Sequence, residues 1–326
     1  MTRLALTPDV LRAPTPVAAR MVARSRVLAV LDQAMQLELA GRIVSAQADP
    51  REREAVHDFR VALRRLRSWL RACRPVLGDT VSRRTRRRVR RLAHRAGRLR
   101  DLEVEERALS ELRGDAALAD AASWLTRRLR ADARRTRRRL MRAVTNRLPQ
   151  VGERMLRQLA PETDGSRVPH PGDGPGVMAP ATAGMLRSHV EVLRLRLQEW
   201  RRRPTNPSAA HATRIALKRL RYLLEAFGDS SDLATAAVER LGTLQDALGR
   251  FHDAQLLQQA LSQALKRGSP PPPRAVAALR RAVSTEMNSA LAEARSRLGK
   301  FGLRAALKEV AQLETSLQRS DLSAAA

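Results

Sequence analysis

Apolar residues recur along this chain at i, i+3, i+4 and i+7, the spacing of one helix face, and period-two alternation is nearly absent. The pattern predicts helices over 18–47, 52–76, 82–112, 115–147, 180–203, 207–227, 232–266 and 274–316. Asp49-Pro50 and Asn206-Pro207 place a proline near the start of two of them, where its missing N–H is harmless. Residues 161–180, PETDGSRVPHPGDGPGVMAP, are dense in proline and glycine and read as a linker. The chain thus divides into 1–160, a linker at 161–179, and 180–326, with four predicted helices on each side. GDGPG inside the linker looks like part of a dinucleotide fingerprint, but no strand precedes it. The expected fold class is all-α.

The two parts are related in sequence. VHDFRVALRRLRSWL at 56–70 matches AHATRIALKRLRYLL at 210–224, pairing His57 with His211, Arg60 with Arg214 and Arg64 with Lys218. Arg65 and Arg67 likewise pair with Arg219 and Arg221. Further on, HRAGRLRDLEV at 94–104 matches LQDALGRFHDAQ at 244–255, placing Gly97 on Gly249 and Asp101 on Asp253. We read the two glycines as positions of close helix approach.

Helical geometry turns the first match into chemistry. At 100° per residue, His57, Arg60, Arg64, Arg67 and Arg71 share an arc of about 80°. Phe59, Leu63, Leu66 and Leu70 occupy a separate apolar face. His211, Arg214, Lys218 and Arg221 repeat the stripe beside Leu217, Leu220 and Leu224. The next helix carries Arg84, Arg87, Arg91, Arg95 and Arg98 at the same spacing, and the one after it Arg127, Arg130, Arg134, Arg138 and Arg142. Three neighbouring basic stripes would line one groove if they converged. Cations about 5 Å apart along a helix suit a chain of phosphates.

Charge sharpens that picture. The 326 residues hold 62 basic and 33 acidic groups, a net +29, and all the basic residues except Lys218, Lys266, Lys300 and Lys308 are arginine. Residues 51–100 alone contribute +14. A solvated helix face normally mixes signs in i,i+4 pairs, whereas these stripes are largely uncompensated. Such density self-repels in the compact state and favours a polyanionic partner. No run of apolar residues is long enough to span a membrane, and a soluble, cytoplasmic protein is expected. One cysteine, Cys73, makes neither an internal disulfide nor a Cys-based zinc site, and it falls on the apolar side of its helix as a buried, inert thiol.

The paired His-x-x-Arg-(Val/Ile)-Ala-Leu-(Arg/Lys)-Arg-Leu-Arg motifs at His57 and His211, with GRLRDLEV at 97–104 and LGRFHDAQ at 248–255, resemble the conserved-histidine α-helical domains, the CHAD family. The resemblance covers roughly 20–316. It implies two four-helix-bundle halves related by an internal pseudo-twofold repeat around a basic central cavity. It also implies binding of inorganic polyphosphate, association with polyphosphate granules, and no catalysis or cofactor. Carried over by motif position, His57, Arg60, Arg64, Arg65 and Arg67 form the first binding set, and His211, Arg214, Lys218, Arg219 and Arg221 the second. The stripes add Arg71, Arg84, Arg87, Arg91, Arg95, Arg98, Arg134 and Arg138. Helix 232–266 has few basic residues, so equal contributions from the halves are not expected. The two histidines are read as phosphate donors strengthened by protonation near pH 6–7, against an alternative of buried packing residues.

Other classes compete. A metal phosphohydrolase could use His57-Asp58 and His252-Asp253, but His211 is followed by Ala212, so the repeat does not preserve the dipeptide. A di-iron bundle has Glu54-x-x-His57 on one side and Ser208 where the matching glutamate should stand. No phosphate-loop motif occurs. Nonspecific DNA or RNA binding is the runner-up, because phosphate contacts serve any polyanion. Single-strand binders add aromatic platforms, and aromatics make up only 2% of this chain.

Overall fold

The computed structural model describes residues 5–41, 50–112, 114–160, 176–299 and 301–322. Their regular structure is helical: α1 (Pro8–Arg12), α2 (Thr15–Gly41), α3 (Pro50–Ala72), α4 (Arg74–Leu77), α5 (Arg83–Glu111), α6 (Ala116–Gln158), α7 (Met178–Arg202), α8 (Pro207–Leu224), α9 (Asp232–Lys266), α10 (Pro273–Gly299) and α11 (Phe301–Leu322). The expected all-α class is what the chain adopts. Side-chain oxygens start several helices: Ser82 accepts from Thr85 N–H at α5, Asp115 from Leu118 N–H at α6, and Asn206 from Ser208 N–H just before Pro207 at α8. Each satisfies a backbone donor that the first helical turn leaves without a partner.

Three predicted helices differ from those observed. The second, expected over 52–76, breaks at Cys73 into α3 and the short α4. The fourth was expected to stop at 147, ahead of Pro149, yet α6 runs on through the proline to Gln158. Packing outweighs the lost backbone hydrogen bond here. Leu148, Val151 and Met155 are buried in the core, and a Cβ on Gly152 would meet Leu31 of α2 at 2.6 Å. Arg24 of α2 also donates to the Leu156 carbonyl at 2.8 Å. The last predicted helix, 274–316, is instead α10 and α11, with Gly299 and Gly302 flanking the break. Each piece then packs differently, α10 on α6 and α9, α11 on α7 and α9. The linker and the 42–47 end of the first predicted helix lie mostly outside the described residues.

One apolar core joins both parts of the chain, drawing Val22 and Val27 from α2, Leu63 and Leu66 from α3, Leu193 from α7, Leu217 and Leu220 from α8, and Leu241 from α9. A smaller core lies where the end of α5 (Leu102, Leu109), the start of α6 (Leu125), the end of α9 (Leu257, Leu261) and α10 (Leu279, Val283) meet. What this packing does for the site is bring the motif helices together: α3 lies against α8, and α5 against α9.

Candidate anion-binding site

The leucine faces of α3 and α8 turn inward to the core, which leaves their basic stripes on the adjoining side. There Arg60 and Arg64 of α3 meet Arg214 and Lys218 of α8 closely enough for their charges to repel. Asp101 of α5 and Asp253 of α9 face the same cluster and are attracted to Arg214 and Lys218. None of these six side chains forms an ion pair within 4 Å among the described residues. The cluster therefore gathers side chains from four helices, with the cations of α3 and α8 outnumbering the aspartates of α5 and α9.

Burial and mutual repulsion show in the proton equilibria. Burial, then Arg214, Arg64 and Arg60, pull the Lys218 ammonium down to about 6. Burial pulls the Arg64 guanidinium down to about 10, which leaves it charged at neutral pH. Arg60 and Arg214 are lowered for the same leading reason, and burial raises Asp101 and Asp253. The Nε atoms of Arg60, Arg64, Arg214, Arg219 and Arg221 are buried without a hydrogen-bond acceptor. A buried donor left so costs about 1–3 kcal/mol. Those of Arg60, Arg64 and Arg214, which lie in the cluster, amount to a surface lacking its acceptor.

His57 and His211 sit at the exposed ends of the two stripes, so the packing alternative does not hold. Partial burial and the neighbouring cations, Arg60 for His57 and Arg214 for His211, hold both imidazoles below their ordinary value. The ring centroids of His211 and His252 are 5.2 Å apart, and burial beside Arg214 takes His252 down to about 3.

Tyr222 underlies the cluster. Its ring is buried, with Arg64 above it at 4.2 Å and Arg221 at 5.5 Å. A desolvated cation over an aromatic face is worth up to about 2 kcal/mol, and it holds Arg64 in place. Gly97 and Gly249 lie one turn before Asp101 and Asp253. A Cβ on either would meet nothing within 4 Å, so close helix approach is not their role and the space beside them is open.

The remaining predicted residues go elsewhere. Arg65 is ion-paired to Glu225 at 2.7 Å, and Glu225 also takes Arg221 at 3.1 Å. Arg98 is paired at 3.0 Å to Glu105, whose carboxyl burial pushes up to about 7. The stripe on α3 divides after Arg64: Arg67 and Arg71 turn, with Arg87, into a separate arginine-lined cavity. Arg219 lies near Arg71 and Arg196. Arg84 and Arg91 flank Arg88 beside Arg147 and Arg154 of α6. Arg95 is half-buried on α5, while Arg134 and Arg138 are exposed on α6. The three stripes thus do not converge on one groove. They diverge because α6 packs on the side of α5 toward α2 and α10, whereas α3 meets α8.

The site also contains residues that the stripes did not indicate: Arg100, held by Glu103 at 3.3 Å, Tyr222, and the pair Asp101 and Asp253. The signal for the aspartates was the second repeat, which aligns them. Cys73 is buried and its thiol is pushed up to about 12, as an inert thiol should be. No group of three or more His, Cys, Asp or Glu among the described residues could hold a metal ion, and no described helix is long and apolar enough to cross a membrane.

Fold and site together define an all-helical scaffold whose paired helices concentrate unpaired cations. The CHAD domain family model matches residues 33–262, and the chain belongs to that family. The crystal structure of the CHAD domain from the plant Ricinus communis is similar, with a TM-score of 0.63 at 22% identity over 95% of this chain and 94% of that one. PptA from Streptomyces chartreusis is also similar, with a TM-score of 0.56 at 20% identity over 88% of this chain and 100% of that one. At these identities the likeness concerns the fold. No curated protein matches the chain.

Proposed function

We propose that this protein binds inorganic polyphosphate, without catalysis, through the cluster of Arg60, Arg64, Arg214 and Lys218, and that it serves at polyphosphate granules. The observation that carries the reading is the set of buried arginine Nε donors without acceptors beside a lysine whose ammonium is held down to about 6 by burial and then by the neighbouring arginines. An anion seated there accepts from the guanidiniums, offsets their repulsion and restores the Lys218 proton. Planar guanidinium forks suit phosphate oxygens in particular. Successive phosphates would follow α3 and α8, whose cations stand about 5 Å apart. Membership of the CHAD family supports the same ligand.

Nucleic acid is the competing polyanion. Trp69, Trp124, Trp200, Tyr222, Phe59, Phe227 and Phe251 are all buried. Trp69, Trp124 and Trp200 spend their indole N–H on the carbonyls of Ala19, Ser269 and Pro204. These rings hold the fold, and none is free to stack on a base. The test is competition between long-chain polyphosphate and duplex DNA for the purified protein at ~0.15 M salt. Polyphosphate should displace DNA. Equal or tighter binding of DNA would reject the assignment.

A further inference from the structure

Where the C-terminal end of α3 meets α4 and the start of α5, a cavity of about 400 Å³ opens away from the central cluster. Arg67 and Arg71 reach it from α3 and Arg74 from α4, and α5 adds Arg83, Arg86, Arg87 and Arg90. The rest of the lining is Leu70 and Val89, with no acidic side chain. One carboxylate approaches from outside, Asp79, which accepts from Arg86 at 2.8 Å and is itself exposed. Among the described residues, no ion pair within 4 Å engages the other six arginines.

The local backbone adds to the imbalance. The first turn of α5 contains arginines and no acidic residue, at the end of a helix where its dipole is positive. Cations are least favourable there and anions most favourable. Burial, and after it Arg71 and Arg90, lower the Arg67 guanidinium, so the group is partly desolvated among like charges. By contrast, Arg64 one turn earlier responds to Tyr222, Arg60, Glu225 and Arg221. The leading charged partners of Arg64 and Arg67 do not overlap.

We propose that this junction is a second anion site, which takes a compact oligophosphate independently of the central cluster. The cavity is of small-molecule size, within the usual range of roughly 300–1,000 Å³. Seven guanidinium forks exceed what one phosphate can accept and suit several linked phosphates. No aromatic side chain lines it, so it offers a nucleobase nothing to stack on.

The experiment titrates inorganic tripolyphosphate into the full-length protein by calorimetry. Arg83→Ala/Arg87→Ala/Arg90→Ala is compared with the central variant Arg60→Ala/Arg214→Ala. The unaltered protein should bind at two sites. The triple variant should lose one of them, with affinity there reduced on the order of a hundredfold or more. It should keep its helical signal and its long-chain polyphosphate binding, while the central variant loses the other site. Full stoichiometry and affinity in the triple variant overturns the proposal, as does loss of both sites in the central variant. If the alanine triple does not fold, Arg83→Lys/Arg87→Lys/Arg90→Lys keeps the charge and removes the forks, and unchanged affinity in it also overturns the proposal. Failure of long-chain polyphosphate to bind the unaltered protein rejects the central reading alone, since the tripolyphosphate stoichiometry still decides this cavity.

Discussion

Lys218 puts a number on what the central cluster costs the empty protein. Its ammonium is held at about 6, against an ordinary 10.5. At pH 7 the folded protein therefore releases a proton that the unfolded chain keeps, and each pH unit from 7 to 10.5 contributes about 1.4 kcal/mol against folding. The ceiling is about 5 kcal/mol at pH 7, falling to about 1 kcal/mol at pH 9.5. The sign follows from a base lowered by folding: the penalty is absent above the unfolded value, grows as pH falls, and levels off below about 6. Lys218→Met keeps the length of the side chain and removes the charge. Urea unfolding should show the variant more stable than the parent at pH 7, with the advantage shrinking by pH 9.5. The same variant should bind long-chain polyphosphate more weakly, because the bound anion is what recharges Lys218. A variant less stable at pH 7, or an advantage independent of pH, would refute the reasoning.

Because Lys218 takes up a proton on binding, affinity for polyphosphate should fall as pH rises above about 6. Calorimetry in two buffers of different ionisation enthalpy will register that uptake, and none is seen if the lysine is already charged. Glu225→Ala strands Arg65 and Arg221, so it should cost about 1–3 kcal/mol in urea unfolding while leaving polyphosphate affinity unchanged or higher. Gly97→Ala and Gly249→Ala meet open space within helices and should each stabilise by up to about 1 kcal/mol. Leucine at both positions should weaken polyphosphate binding without unfolding the protein. Binding should weaken linearly with log salt, and Arg60→Ala/Arg214→Ala should reduce that slope, whereas Arg134→Ala/Arg138→Ala should barely move the affinity.

Helices were legible because an apolar stripe must be buried whatever it packs against, and the stripe on α3 shows which face turns inward. The motif residues were legible for the same reason: Arg60, Arg64, Arg214 and Lys218 share one arc with the cations beside them and another with none. What periodicity could not show was where each stripe leads. Arg67 follows Arg64 on the same arc, yet α4 and α5 draw it into a different cavity. Arg65 reads as a motif cation, but Glu225, distant by 160 residues, neutralises it. The predicted helix over 115–147 stopped short of Pro149, and packing of Gly152 against Leu31 accompanies its continuation to Gln158. Such outcomes depend on partners far along the chain. The aspartates were visible only as a repeat, since a carboxylate inside a basic cluster has no signature in charge counting.

The central claim is that four side chains from α3 and α8 hold the polyphosphate. Binding of long-chain polyphosphate to the Arg60→Ala/Arg64→Ala/Arg214→Ala/Lys218→Ala variant, checked for retained helical signal, tests it most directly. The account predicts loss of binding in a folded protein, and affinity equal to the parent's would contradict it.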